Sequence, residues 1–172
     1  MVNLTLEEVY MKNQKGFTLI ELLIVVAIIG IIAAIAIPNL LSAIQRGKQK
    51  RAMGEVRSIA TSAQAYATDT NNYPIVTSPG DASAAASDLC PDYIKSIPSP
   101  DPWSTVYQYQ GVSDNFAAAS YGKTGDTDGW SGIALTTADT ALISNTSCFE
   151  CDIVWEGDSF LIKPEGKQRT CQ

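Results

Sequence analysis

The 172 residues include twelve basic and eighteen acidic side chains and no histidine, for a formal net charge of −6. Without imidazole the chain lacks the usual general base, the neutral nitrogen ligand for metals and the switch that titrates near neutrality, which argues against hydrolase triads and His-ligated zinc sites. The length allows one modest domain plus whatever a long apolar run requires.

Charge is unevenly placed. Residues 39–73 hold Arg46, Lys48, Lys50, Arg51 and Arg57 against Glu55 and Asp69, whereas residues 74–172 hold thirteen acidic side chains against five basic. A basic segment followed by an acidic globule is self-complementary if copies pack side by side, and the plainer reading is two solvated faces.

In chain order, residues 1–10 carry Glu7 and Glu8 but no cation, while Met11-Lys-Asn-Gln-Lys-Gly16 is short and basic. The codons for Glu-Glu-Val-Tyr-Met can spell a ribosome-binding sequence ahead of an ATG, so the expected translation start is Met11. The run GFTLIELLIVVAIIGIIAAIAIP, Gly16 to Pro38, follows. From Phe17 to Ile37 its polar side chains are Thr18 and Glu21, and about 21 residues suffice to cross a hydrocarbon core of about 30 Å as a helix. Ala34-Ile-Ala36 imitates a signal-peptidase site, which keeps open an exported binding module cut after Ala36. The length of the run and its carboxylate stand against that reading. An ionisable group in a membrane costs roughly 2.5–3.5 kcal/mol on insertion scales, so Glu21 needs a partner. Cleavage after Gly16 would create one, because the new α-amine of Phe17 lies one helical turn before Glu21, on the same chain or on a neighbouring copy.

KGFTLIELLIVVAIIGIIAAIAIP closely resembles the N-terminus of the type IV pilin-like family, which comprises the pilins of type IV pili and the pseudopilins of type II secretion. The resemblance implies cutting by a prepilin peptidase between Gly16 and Phe17, N-methylation of Phe17, and a role for Glu21 in subunit assembly. It also implies a single pass through the inner membrane with the head in the periplasm. Lys12 and Lys15 are outnumbered by the cations from Arg46 onward, so a positive-inside count alone does not give that orientation.

Pro38 lacks an N–H and clashes with the preceding turn, which predicts a kink or a locally melted stretch over residues 34–42. Gly30, Gly47 and Gly54 are further soft points. Beyond Pro38, Leu41, Ile44, Ala52, Val56, Ile59, Ala63 and Tyr66 recur mostly at helical intervals, giving an amphipathic helix that ends at Asn71-Asn72-Tyr73-Pro74. Residues 75–102 read as a connector containing a short helix over Ala82–Leu89. Strands are predicted over Val106–Gln110, Phe116–Tyr121, Ile153–Trp155 and Phe160–Ile162, the last two joined at Glu156-Gly157-Asp158. The expected fold is α+β, with a long N-terminal helix whose hydrophobic half spans a membrane or a filament core. Its amphipathic half packs on a small antiparallel β-sheet, as in pilins. The divisions are a leader over 1–16, the hydrophobic helix over 17–38, the amphipathic helix over 39–73 and the head over 74–172.

YIKSIPSPDPWSTVYQYQ and SYGKTGDTDGW are similar to the head of the major pseudopilins of type II secretion, with Asp101, Pro102, Trp103, Tyr107 and Tyr109 matching. Ser104 stands where that family usually has glycine. The resemblance implies calcium binding by the Gly- and Asp-rich loop, with Asp126, Asp128 and Ser131 as candidate ligands. A plain Asx/Gly turn is the competing reading, since no glutamate closes the loop as in an EF-hand. A shift of the unfolding midpoint on titration with calcium would decide between them.

Cys90, Cys148, Cys151 and Cys171 all follow the apolar run and are expected to form up to two disulfides, with three full pairings open. Cys148-Phe-Glu-Cys151 also has redox or metal spacing, which keeps a membrane-anchored thiol redox protein as a distant reading. The reading adopted is a structural, non-enzymatic subunit of a homo-oligomeric filament, the major pseudopilin of a type II secretion system, with a surface type IV pilus subunit as the near alternative. The partners implied by the resemblance are minor pilins or pseudopilins, the inner-membrane assembly platform and the prepilin peptidase. Nothing in the sequence indicates nucleic acid binding.

Overall fold

The computed structural model describes residues 16–125, 145–148 and 152–169, the side chains of 145–148 and 165–169 excepted. The chain divides into two compact units, Met1–Leu40 and Leu41–Gln172, which are described separately.

A single α-helix, α1 (Leu19–Thr70), supplies the described helical residues of the first unit and the opening of the second. Within the first unit it is apolar all round. An 18-residue window has mean hydropathy 3.1 and no buried residue, so the helix is long and apolar enough to cross a membrane. The helix is unbroken over residues 34–42, so the melting expected around Pro38 is not a feature of the single chain. Pro38 still lacks the N–H that would bond the carbonyl of Ala34. In the next step along the helix, the Asn39 side-chain amide donates to the carbonyl of Ile35 at 3.0 Å.

In the second unit α1 becomes one-sided. Ala52, Val56, Ile59, Ala60 and Ala63 are fully buried, and Tyr66 packs at the edge of the same cluster. Leu41 and Ile44, expected on this stripe, are 57% and 45% exposed, so the packed face begins later than the sequence periodicity suggests. The helix stops where predicted, with Asn71 at φ 62, in the left-handed region that asparagine tolerates after a helix C-terminus.

The head follows as β1 (Val76–Asp81), a 3₁₀ turn (Ala82–Ala85), α2 (Ala86–Leu89), β2 (Gln108–Gly111), β3 (Phe116–Ser120), β4 (Asn145–Cys148), β5 (Ile153–Glu156) and β6 (Ser159–Arg169). The sheet order is β1-β2-β3-β5-β6-β4. Five strands form the small antiparallel sheet expected, and β4 adds to its far edge parallel to β6. Residues 75–102 also hold β1, an edge strand containing Ser78 and Pro79, where the sequence reads as connector. Proline is tolerated there because an edge strand leaves one row of donors unused.

Alternation along β3 divides the core. Phe116 and Ala118 meet Val56, Ile59 and Ala63 of α1 together with Tyr107, Tyr109 and Leu89, whereas Ala117 and Ala119 pack with Val154 and Ile162 on the other face. Tyr73 and Phe116 stack tilted at 4.7 Å, and Tyr109 lies 6.2 Å from Phe116, an aromatic seam closing the end of the helix over the sheet. Gly111 is required by this closure. A Cβ there would lie 2.1 Å from the carbonyl oxygen of Pro74 and 2.7 Å from the Tyr109 hydroxyl.

Candidate functional site

The N-terminal end of α1 carries the first group of candidate residues. Gly16, Phe17 and Thr18 precede the helix in non-helical backbone, and Phe17 is 90% exposed. Thr18 and Glu21 close a capping box. The backbone N–H of Thr18 donates to Glu21 Oε2 at 2.8 Å, the Thr18 hydroxyl donates to the same oxygen at 2.7 Å, and the N–H of Glu21 donates to Thr18 Oγ1 at 3.3 Å. Two of the helix's orphan donors are thereby satisfied. The sequence reading missed this use of Thr18, although the Thr-x-x-Glu spacing ahead of an apolar run is its signal. The Glu21 carboxylate therefore sits one turn from Phe17, the residue expected to become the amino terminus.

The second group is the Asp101 turn, entirely within the head. Asp101 is buried, and its Oδ1 accepts from the backbone N–H of Trp103 at 2.9 Å and of Thr105 at 2.8 Å. Its Oδ2 accepts from the Ser120 hydroxyl at 2.8 Å, tying the turn to β3. Pro102 has no N–H to offer, so the carboxylate takes the donors that follow it. The turn holds Ser104 at φ 76. This explains why glycine is the usual residue there in the family the sequence resembles, since only glycine occupies the left-handed region without a steric cost. From this turn the Trp103 indole N–H donates to Gln45 Oε1 at 3.0 Å and reaches the start of the packed part of α1.

A second tie runs from α1 to the start of β2. Arg51 pairs with Glu55 at 2.8 Å, and the Tyr107 hydroxyl donates to the other Glu55 oxygen. Burial, then the hydrogen bond to Glu55 and its charge, raise the Tyr107 phenol well above its ordinary value, and burial does the same to Tyr109. Further along α1, the Gln64 side-chain amide donates to the carbonyl of Gly157 at 3.0 Å and to Asp158 Oδ1 at 3.3 Å, fastening the β5–β6 turn.

Among the described residues Cys90 is a free, half-buried thiol. Cys148 lies in β4 with its side chain outside the described atoms, and Cys151 and Cys171 lie outside the described residues. Asp126, Asp128 and Ser131, the candidate calcium ligands, lie outside them too. The described residues hold no group of three or more ligating side chains.

An exposed apolar helix entered through a capped Thr-x-x-Glu, followed by a small α+β head packed on the helix's continuation, defines a pilin-like subunit. The prokaryotic N-terminal methylation motif matches residues 11–37, and the family model of type II secretion system protein G matches residues 39–136. The chain belongs to the type II secretion system protein G family. It is 32% identical to the type II secretion system core protein G of Pseudomonas aeruginosa over 130 residues, 68% of this chain and 91% of the relative. Identity to the core protein G of Vibrio cholerae is 32%, covering 67% of this chain and 86% of the relative, and to that of Aeromonas hydrophila 30%, covering 68% and 90%. No match is found among solved structures.

Proposed function

We propose that the chain is the major pseudopilin of a type II secretion system, a structural subunit that waits in the inner membrane with its head in the periplasm and is added to a filament. The observation that carries this is the exposed apolar helix with its carboxylate at one end, attached to a head of the protein G family. An apolar surface of this size needs lipid before assembly and other copies after it, and the two environments are similar enough in polarity for transfer. Cleavage after Gly16 and N-methylation of Phe17 leave a cationic amine next to the Glu21 carboxylate, and pairing with the amine of a neighbouring copy sets the axial register.

The capping box separates two roles of Glu21. Glutamine at this position also completes a capping box, so Glu21→Gln keeps the helix start while removing the charge. The charge role predicts that Glu21→Gln processes normally at Gly16 but fails to form copy-to-copy cross-links in the envelope. Cross-linking at the wild-type level would reduce Glu21 to a helix cap and overturn the assembly role.

A further inference from the structure

Three cations of α1 stand on one stripe. Arg46, Lys50 and Arg57, spaced i, i+4 and i+11, fall within about 40° of one another at 100° per residue, roughly a quarter-turn or more from the face formed by Ala52, Val56, Ile59 and Ala63. All three are exposed, and the ion pair among the described residues is Arg51–Glu55, so none of the three is in an ion pair among the described residues. Met53 stands between Lys50 and Arg57 on this stripe, and a row of small side chains runs beside it. Gly54, Ser58, Thr61 and Ala65 line a shallow groove of about 400 Å³ with Arg57 and Tyr93.

The opposite charge gathers at another level of the same head. The β2–β3 turn brings Asp114, and the β5–β6 turn brings Glu156 and Asp158. The two turns are joined by Asn115 donating to Glu156 Oε1 at 2.9 Å and by the N–H of Gly157 donating to the carbonyl of Phe116 at 3.1 Å. Asp114 and Asp158 are exposed. Because Gln64 holds the β5–β6 turn, this acidic corner lies level with Gln64, seven to eighteen residues along the helix from the cations. At 1.5 Å per residue the two patches are offset by about 10–27 Å along one axis. Patches of opposite sign displaced along an axis pair head to tail, and a head-to-tail contact that does not close propagates as a filament.

We propose that the Arg46, Lys50 and Arg57 stripe docks the Asp114, Glu156 and Asp158 corner of the next copy, a proposal that rests on the filament reading above. The small residues beside Arg57 leave room for that corner, and the chain's acidic head makes another copy the complementary partner.

The test uses the full chain in its native host, with zero-length carbodiimide coupling of amines to carboxylates and mass spectrometry on mixed isotope-labelled copies. The wild type is expected to give a ladder containing inter-copy links from Lys50 to Asp114, Glu156 or Asp158. Reversal of the two arginines of the stripe (Arg46→Glu, Arg57→Glu), which leaves the Lys50 amine available for coupling, reduces species beyond the dimer roughly tenfold or more, because like charges then face each other. Reversal of the corner (Asp114→Lys, Asp158→Lys) does the same, and combining the two sets restores the ladder. The neutral variant with glutamine at Arg46 and Arg57 gives a smaller loss and a ladder less sensitive to salt. A stripe-reversed chain that assembles like the wild type overturns the docking surface alone. So does a combined variant that stays defective while the stripe-reversed chain loses binding to anionic phospholipid vesicles, a result that assigns the stripe to a lipid surface. A wild type that forms no ladder overturns the filament reading and the docking surface together.

Discussion

Asp101 and Tyr107 show how much a single side chain carries in a head of this size. Asp101 is buried and accepts three hydrogen bonds, so Asp101→Ala strands the N–H groups of Trp103 and Thr105 and the hydroxyl of Ser120. A loss of about 2–4 kcal/mol is expected in denaturant unfolding of the detergent-solubilised chain. Ser104→Gly should go the other way. A left-handed conformation costs an L-residue about 1–2 kcal/mol, partly offset by the greater unfolded-state freedom of glycine, so the variant is expected to be as stable as the wild type or up to about 1 kcal/mol more stable. A fall in its thermal midpoint would contradict the strain assigned to this turn. The raised Tyr107 phenol gives a pH dependence with a definite sign. The folded chain holds that proton more tightly than the unfolded chain, whose phenol has the ordinary value of 10.0. The stability it contributes is therefore fully present below about pH 10 and is lost as the pH rises beyond. Tyr107→Phe should flatten the alkaline limb of a stability profile and cost about 1–3 kcal/mol at neutral pH through the lost bond to Glu55. The importance of Asp101 was legible in the sequence only as membership of a motif. Its three acceptor contacts depend on β3 lying beside the turn, which no local pattern contains.

At the scale of elements, periodicity carried the reading where one face of an element is buried and failed where it is not. The helix stripe from Ala52 to Ala63, the stop before Asn71, the short helical stretch over residues 82–89 and the β5–β6 turn at Gly157 all follow from local rules. β1 did not, because Val-Thr-Ser-Pro-Gly-Asp has turn composition and becomes a strand only by pairing with β2, with a register shift between Val76 and Gly80. β4 pairs parallel to β6, a non-local contact that alternation does not encode. The junction of helix and sheet is where substitution should be least tolerated. Gly111→Ala forces a methyl against the Pro74 carbonyl and the Tyr109 hydroxyl and is expected to cost about 1–3 kcal/mol, read as a lowered urea midpoint with unchanged slope.

For the molecule as a whole, the N-terminal motif makes the class of protein legible in the sequence, because Gly16, Phe17, Glu21 and the apolar run form a long and specific pattern. The disulfide and calcium expectations concern Cys148, Cys151, Cys171, Asp126, Asp128 and Ser131, which depend on segments outside the described residues or side chains. What the fold adds is the separation of duties. The exposed helix of the first unit supplies an apolar surface, and the head in the second carries charge of both signs at different levels. A periplasmic filament subunit must be cut, methylated and retained in the envelope. The most direct measurement is mass spectrometry of the native host, comparing filaments sheared from the surface with the remaining envelope and seeking the peptide that begins at N-methyl-Phe17. The account predicts that peptide in the envelope fraction and not in the sheared one. Abundant methylated Phe17 in the sheared filaments would make the chain a surface pilus subunit, and a mature N-terminus beyond Ala36 would contradict the filament reading altogether.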